Sequence, residues 1–510
     1  MRGEENPMDR PGTDMHVMHA RRVGIDTQYE AVVFIRKDSH VCRAEGFTAH
    51  TRIRVQHGRR AINATLYQVT SDFLHHDEAG LSEAAWWRLG LTDGDEIVVS
   101  HPPLVESLSS VRGKVYGRRF DEASLRGIVR DVVAGQYSDI YLSSLITACS
   151  ARPLDLDEMT WLTRAMVDVG EVLQWPMRPV MDKHSVGGLP GNRTTPIVVA
   201  IVAACGLVIP KTSSRAITSP AGTADTMATM APVDLDISAI RRVIEREGGC
   251  IVWGGAVRLS PADDILIRVE RALDLDSEGQ LVASVLSKKI AAGSTHLVVD
   301  LPVGPTAKVR TAETAAALTA GLVAVSKAFG LETRVLRTDG AQPVGRGIGP
   351  ALEARDVLAV LQNHVAAPAD LRDKSTMLAG ALLELAGIAK EGQVLAVEVL
   401  RDGRAWRKFQ RICEAQGGMR VPPQSCCRYA VPAAQAGRVT GINNRKIARV
   451  AKLAGAPDAK AAGLDLHVRL GDRVEIAQPL YTIHADAPGE LDYALAYVQA
   501  NSDILTVGDT

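Results

Sequence analysis

Two loops of this 510-residue chain bring together the cations, hydroxyls and glycines that an anion site requires. The first is Asp182-Lys183-His184-Ser185-Val186-Gly187-Gly188, continuing as Leu189-Pro190-Gly191-Asn192-Arg193-Thr194-Thr195. The apolar lead at Pro179-Val180-Met181-Asp182 predicts a strand, and a helix should begin near Pro196. Glycines at such a strand-to-helix junction let the backbone approach a ligand, and the helix start offers free N–H groups and the positive end of its dipole. Lys183 adds charge, and Ser185 and Thr195 add hydroxyl donors. The G-x-x-x-x-G-K-[ST] phosphate loop is absent, so this would be a cradle of another kind. On composition alone, a glycine turn with a solvated lysine explains the run equally well.

The second loop runs from Lys211 to Asp225 (Lys-Thr-Ser-Ser-Arg-Ala-Ile-Thr-Ser-Pro-Ala-Gly-Thr-Ala-Asp). Hydroxyls and cations at this density can surround phosphate oxygens without an arginine cluster. A polar surface loop would look the same, but the two loops flank one short apolar segment, Pro196–Pro210, so a single ligand could touch both. That segment falls short of the roughly 20 residues that span a bilayer and is expected to be a buried helix.

The run from Asp182 to Asp225 resembles the signature of the thymidine phosphorylase and AMP phosphorylase family: lysine-histidine-serine before paired glycines, then serine-x-arginine, then glycine-threonine-x-aspartate. The likeness continues through Trp253-Gly-Gly, Pro261-Ala-Asp-Asp, Ala283-Ser-Val-Leu-Ser-Lys-Lys and Thr338-Asp-Gly-Ala-Gln-Pro-Val-Gly, covering residues 24–500. The second loop is most similar to the AMP phosphorylase branch. The resemblance implies cleavage of an N-glycosidic bond by inorganic phosphate, without a metal or organic cofactor. It implies phosphate contacts from Lys183, Ser185, Thr195, Ser213 and Thr223, and base contacts from Arg271, Ser284 and Lys288. It implies nucleotide contacts from Gly188, from the loop Ser214, Arg215, Ala216, Ile217, Thr218 and Ser219, and from Lys308. His184 matches the acid or orienting histidine of the thymidine enzymes, and Asp276 matches the proton donor of the AMP branch; both remain candidates. Ser214 and Thr218 depart from the glycine and histidine of the thymidine pattern, so thymidine and a nucleoside 5′-monophosphate both stand as substrates. The family habit implies a homodimer or larger assembly. A phosphoribosyltransferase using an activated pyrophosphate, with a similar fold, is a rival reading that would need acidic Mg²⁺ ligands beside the first loop.

The elements that must hold these loops follow from periodicity. Short alternating runs at Ala31–Arg36, Thr51–Val55, Ala61–Gln68 and Glu96–Ser100 predict a β-rich domain over residues 23–101, after a disordered tail over 1–22. Apolar residues at three- and four-residue spacing predict helices at Asp121–Ala134, Asp139–Cys149 and Asp155–Leu173, and residues 105–175 with 258–290 are assigned to a helical domain. Residues 176–257 with 291–430 alternate strands and helices, including Leu297–Leu301, Ala312–Phe329 and Thr333–Thr338, which predicts a large α/β domain. Residues 432–510 form a small α+β unit with a helix at Asn444–Ala454 and a strand pair around Arg469–Val474. The fold class is therefore α/β: a helical domain and a large phosphorylase-like α/β domain with a mixed sheet, a β-rich N-terminal domain and a small C-terminal one. The resemblance implies that the helical and α/β domains close on each other by a hinge.

Composition excludes several classes. The chain carries 58 basic and 59 acidic residues, and this balance points to neither nucleic acid nor a membrane surface as partner. Seven cysteines with no C-x-x-C spacing argue against a disulfide framework or zinc site. The start of the chain, Met1–Arg22, lacks the apolar core of a signal peptide, so a cytoplasmic location is expected. Trp86, Trp87 and Trp253 read as core residues rather than base-stacking ones. Asp263 and Asp264 read as acidic residues opening the helix after Pro261 rather than as an acid–base pair.

Overall fold

The computed structural model describes residues 17–216, 219–275 and 277–508. Contacts divide the chain into two units: the residues through Arg152 together with Asp264–Leu275, and Pro153–Asp263 together with the chain beyond Leu275.

The first unit contains a closed six-stranded barrel. Its strands are β1 (Val17–Arg22), β2 (Val32–Arg36), β3 (Arg52–His57), β4 (Arg60–Val69), β5 (Glu78–Leu81) and β6 (Glu96–Ser100), in the order β1-β5-β2-β4-β3-β6. β1 corrects the expected tail over 1–22: Met18 and Ala20 alternate inward, and β1 pairs with both β5 and β6, so barrel closure requires it. Alternation places Val33, Ile35, Ile53, Val55, Leu66, Ile97 and Val99 in the barrel core. Trp86 joins this core, whereas Trp87, expected to be buried, is exposed under the guanidinium of Arg22.

The helices expected to form one domain are shared out. Leu108–Val115, Glu122–Val133 and Asp139–Ala151 belong to the barrel's unit, where Arg52 donates to the Gly135 carbonyl at 3.3 Å and the side chains of Asn63 and Gln136 are bonded. Leu156–Asp168 and Glu278–Ala291 pack against each other in the second unit. The first of these two opens on a capping box in which the Asp155 carboxylate accepts from the Glu158 N–H at 3.1 Å and Glu158 accepts in return from the Asp155 N–H at 3.0 Å. The dividing line falls inside the helix Pro261–Leu273.

In the second unit, β7 (Met181–Ser185), β10 (His296–Val303) and β11 (Glu332–Asp339) form a parallel sheet in the order β11-β10-β7. β8 (Ile209–Ser213) and β9 (Gly249–Trp253) form a parallel pair, joined to the β7 edge by a parallel bridge between Val180 and Val208. These ladders are all parallel, where a mixed sheet was expected; the antiparallel ladders described in this unit, including that between the short strand Gly347–Ile348 and Gly463–Leu466, all involve C-terminal strands. Consecutive strands here are joined by helical crossovers, and such connections favour parallel pairing. The expected buried helix Pro196–Pro210 splits into two elements. A helix covers Thr194–Ala204, Gly206 turns the chain at φ 83°, and β8 follows. All ten residues Thr194–Ala203 are buried, and the Ile and Val side chains among them contribute roughly 1.5–3 kcal/mol each to the core. The C-terminal region contains the helix Asn444–Leu453 over a small antiparallel sheet, and its expected strand pair shrinks to Arg473–Val474.

Candidate active site

The first loop leaves the carboxyl end of β7, where ligands of parallel α/β sheets gather. Gly187 and Gly188 have φ values of 91° and 77°, which favour glycine, and a Cβ on Gly188 would sit 2.5 Å from the Lys308 backbone nitrogen. Glycine therefore lets the Lys308 backbone lie against the loop. Lys183 points into the protein, is only 1 % exposed, and donates from Nζ to Thr194 Oγ1 at 2.7 Å. Thr194 and Thr195 are the first two residues of the buried helix, and both are themselves buried. Arg193, just before them, donates to Thr223 Oγ1 at 2.8 Å and is held by the buried Glu353 carboxylate at 2.6 Å. Lys183 with Thr194 and Arg193 with Thr223 are thus two bonded pairs side by side in sequence at the start of this helix. Ser213, at the end of β8, has a buried hydroxyl with no hydrogen-bond partner among the described residues.

Two buried aspartates organise the cations around these pairs. Asp182 lies between Lys211 at 3.3 Å and Lys289 at 3.0 Å. Burial alone would raise its pKa, but the two ammonium groups overcome that and hold it below the ordinary carboxylate range. Asp300 accepts from Ser185 Oγ at 2.8 Å, Asn192 Nδ2 at 2.9 Å and Thr338 Oγ1 at 2.6 Å, and pairs with Lys374 at 3.1 Å. Ser185, expected as a phosphate donor, therefore spends its proton on Asp300 while its lone pairs receive Asn192 at 3.1 Å. Lys183, Lys211, Lys289 and Lys374 thus crowd around Asp182 and Asp300, with Asp339 and Asp370 also acting on Lys374, and burial lowers the pKa of Lys289 to about 7. Lys183 feels this directly: burial, reinforced by Lys374, Arg193 and Lys289 and only partly offset by Asp300, lowers its pKa to about 8. His184 lies among the same lysines. Burial first, then Lys289, Lys211, Lys288 and Lys183, push its pKa well below 6.5, so its imidazole is neutral at pH 7.

The second loop curls around Asp225. That carboxylate accepts from the Ala216 N–H at 2.6 Å and the Gly222 N–H at 3.0 Å. Gly222 packs so tightly that a Cβ would meet the Ser214 carbonyl oxygen at 2.5 Å. Arg215 pairs with Asp234 at 3.0 Å and covers the Trp253 ring at 4.9 Å, so Trp253 is partly buried under a cation rather than sealed in the core. Ser219 donates to the Ala221 carbonyl at 2.8 Å. Ile217 and Thr218 lie outside the described residues.

The helix Glu278–Ala291 brings the third group. Lys288 Nζ donates to Ser284 Oγ at 3.2 Å and to the buried Asp263 carboxylate at 2.6 Å. Asp263 is thus a buried counter-ion as well as a first-turn residue of its helix, which the reading of Asp263 and Asp264 as helix openers missed. The next residue, Lys289, is the one bound to Asp182, which ties Ser284 and Lys288 to the strand carrying Lys183 and His184. Arg271 lies in the helix Pro261–Leu273 in the other unit, and its side chain is outside the described residues, as is the whole of Asp276. Asp182, Asn192, Arg193, Lys211, Lys289, Asp300, Glu353 and Lys374 escape a reading of the sequence as site residues. An aspartate inside the apolar run Leu297–Leu301, and a lysine next to Lys288, are signals that could have found two of them. Lys374, on the helix Ala369–Leu385, carries no such signal.

A parallel α/β unit with buried lysines and hydroxyls gathered at its strand ends is the setting of a transferase that handles an anionic substrate, and comparison with known proteins gives the class. Residues 109–170 match the helical bundle domain of the glycosyl transferase family, 177–406 its a/b domain, and 438–505 the pyrimidine nucleoside phosphorylase C-terminal domain. The chain is 60% identical over 494 residues to "Putative thymidine phosphorylase" of Polaromonas sp., covering 96% of this chain and 97% of that one. It is 58% identical to the protein of the same name from Chelativorans sp., covering 97% of this chain and 98% of that one. Anthranilate phosphoribosyltransferase from Thermus thermophilus shares the fold at 22% identity and a TM-score of 0.52, over 60% of this chain and 99% of that one. The chain belongs to the thymidine phosphorylase family and is a glycosyltransferase-type enzyme. None of its described helices is long and apolar enough to cross a membrane, and its seven cysteines are free thiols.

Proposed function

We propose that the enzyme cleaves a nucleoside with inorganic phosphate, releasing the free base and a pentose 1-phosphate, with thymidine as the first substrate to test. The observation that carries this reading is the buried Lys183, paired with Thr194 and set near the buried lysines Lys211, Lys289 and Lys374. A phosphate would supply negative charge and an acceptor for the unpartnered Ser213 hydroxyl. Lys183, Thr195, Ser213 and Thr223 then bind phosphate. Ser185, already donating to Asp300, contributes by holding Asn192 and the loop in place.

In the reaction one phosphate oxygen attacks C1′ as the C1′–N bond breaks, through an oxocarbenium-like transition state. The electron pair leaves with the base, which Ser284 and Lys288 stabilise by hydrogen bond and charge. Holding phosphate and nucleoside together supplies roughly 7–11 kcal/mol, and each well-placed donor to the leaving base roughly 3–4 kcal/mol. His184, being neutral, serves as a hydrogen-bonding orienter and does not bring a proton of its own at pH 7. The carboxylates nearest the first loop, Asp182 and Asp300, are engaged by lysines, which speaks against a Mg²⁺-pyrophosphate substrate. No metal or organic cofactor takes part in this scheme, and a cytoplasmic homodimer or larger assembly is the form we propose on family grounds.

A second reading, a nucleoside 5′-monophosphate giving a pentose 1,5-bisphosphate, is favoured by Ser214 and by the barrel domain, which resemble the AMP branch. In that reading Lys308 and the loop 214–219 meet the 5′-phosphate, and Asp276 protonates the base. Purified enzyme assayed for free base against a panel of nucleosides and nucleoside monophosphates, with and without phosphate, separates the readings. Thymine released only with phosphate supports the first, adenine from AMP supports the second, and release independent of phosphate refutes both.

A further inference from the structure

The barrel-containing unit has a cleft of its own, lined by Arg52, Arg88 and Arg268 together with Tyr29, Glu30 and Asp139. Three guanidinium groups face two carboxylates there. Arg268 is engaged by Asp139 through a bidentate pair at 2.6 and 3.1 Å, and Glu30 stands 4.0 Å from Arg52. Arg88 donates to the Tyr29 carbonyl at 2.6 Å and has no carboxylate within salt-bridge distance among the described residues. The Nε groups of both Arg52 and Arg268 are buried and make no hydrogen bond among the described residues. Buried arginine donors without acceptors are rare unless a ligand completes them. Burial lowers the pKa of Arg52 although the charge of Glu30 opposes it, and burial followed by the charge of Arg268 lowers that of Arg88.

We propose that this cleft is a second anion site, separate from the Lys183 network, that binds a small oxyanion such as inorganic phosphate between Arg52, Arg88 and Arg268. The forks of Arg52 and Arg268 are committed to Thr65, to the Asn63 and Gly135 carbonyls and to Asp139, which leaves their two Nε donors and Arg88 for a small oxyanion rather than a whole nucleotide. The proposal does not depend on the reaction assigned above.

Equilibrium dialysis of the full chain against labelled inorganic phosphate tests it. The wild type should bind two phosphates per chain. Lys183→Ala should lose one of them, and Arg88→Gln should weaken the other at least about tenfold while leaving the KM for phosphate within about twofold. A thermal melt matching the wild type checks that Arg88→Gln keeps its fold. Arg52→Lys, which keeps the charge but removes the fork, should weaken the same phosphate, and unlabelled sulfate should compete for it. A single phosphate lost in Arg88→Gln but kept in Lys183→Ala would support the second site and count against the role given to Lys183. Phosphate binding in Arg88→Gln and Arg52→Lys that equals the wild type in number and affinity would overturn the proposal.

Discussion

Replacing Lys183 by methionine should make the ligand-free protein more stable and at the same time abolish its response to phosphate. Lys183 is 1 % exposed and its pKa falls from 10.5 to about 8. Below pH 8 both the folded and the unfolded chain carry the charge, and keeping it in the folded state costs roughly 3 kcal/mol. Between pH 8 and 10.5 the folded state has given up its proton and the unfolded state has not, so this cost fades as pH rises. Lys183→Met removes the cost and forfeits the bond to Thr194, worth about 1 kcal/mol, leaving a gain of roughly 2 kcal/mol at pH 7. Calorimetry should show the unfolding transition of the α/β unit rising by several degrees in phosphate-free buffer. The gain should shrink as pH is raised from 8 towards 10.5. With phosphate at about a hundred times its Kd the wild type gains about 2.7 kcal/mol and overtakes the variant, which gains almost nothing. A variant that is less stable without phosphate, and that still shifts with phosphate as the wild type does, would refute the reasoning.

Three further outcomes are expected. Lys288→Ala should lower turnover at least about tenfold, equivalent to about 1.4 kcal/mol in the barrier, and Asp263→Asn/Lys288→Met should restore stability without restoring turnover; wild-type turnover in either would remove Lys288 from the site. The imidazole of His184 should be neutral at pH 7, so its NMR signals should not titrate near 6.5 and kcat/KM should show no inflection from it there; a His184 signal titrating near 6.5 would contradict the lysine environment. Asp276→Asn should cripple cleavage of AMP, whose purine leaves best when protonated, and leave thymidine cleavage nearly intact; equal activity on AMP between pH 5 and 9 would exclude Asp276 as the donor.

Much of the site was legible because its chemistry lies in short runs. The strand-to-glycine junction at 182–188 and the hydroxyl-rich loop from 211 could be read as local patterns, whereas Ser284 and Lys288 came only from the family resemblance. The barrel strands β2, β3, β4 and β6 were equally plain from alternation, whereas the short β5 went unread and β1 was hidden by the polar His19 and Arg21 that alternate with Met18 and Ala20. What the sequence concealed was long-range pairing. Asp182 is matched with Lys211 and Lys289, Asp300 with Lys374, and Arg193 with Glu353, 160 positions away. Nothing local marks such partners, because a buried ion pair is fixed by the tertiary fold. For the same reason Ser185 reads as a free donor in sequence and is a bound one in the structure. The apolar run Pro196–Pro210 reads as one helix because a buried strand and a buried helix look alike when every face is covered.

Phosphate as the nucleophile at C1′ is the central claim. Incubating the enzyme with thymidine and ³²P-labelled phosphate, then separating the sugar products, measures this directly. The expected result is label on a 2-deoxyribose 1-phosphate in one-to-one ratio with released thymine, or on a pentose 1,5-bisphosphate when AMP is the substrate, and none of either with Lys183→Ala. Free base appearing with unlabelled sugar would contradict it.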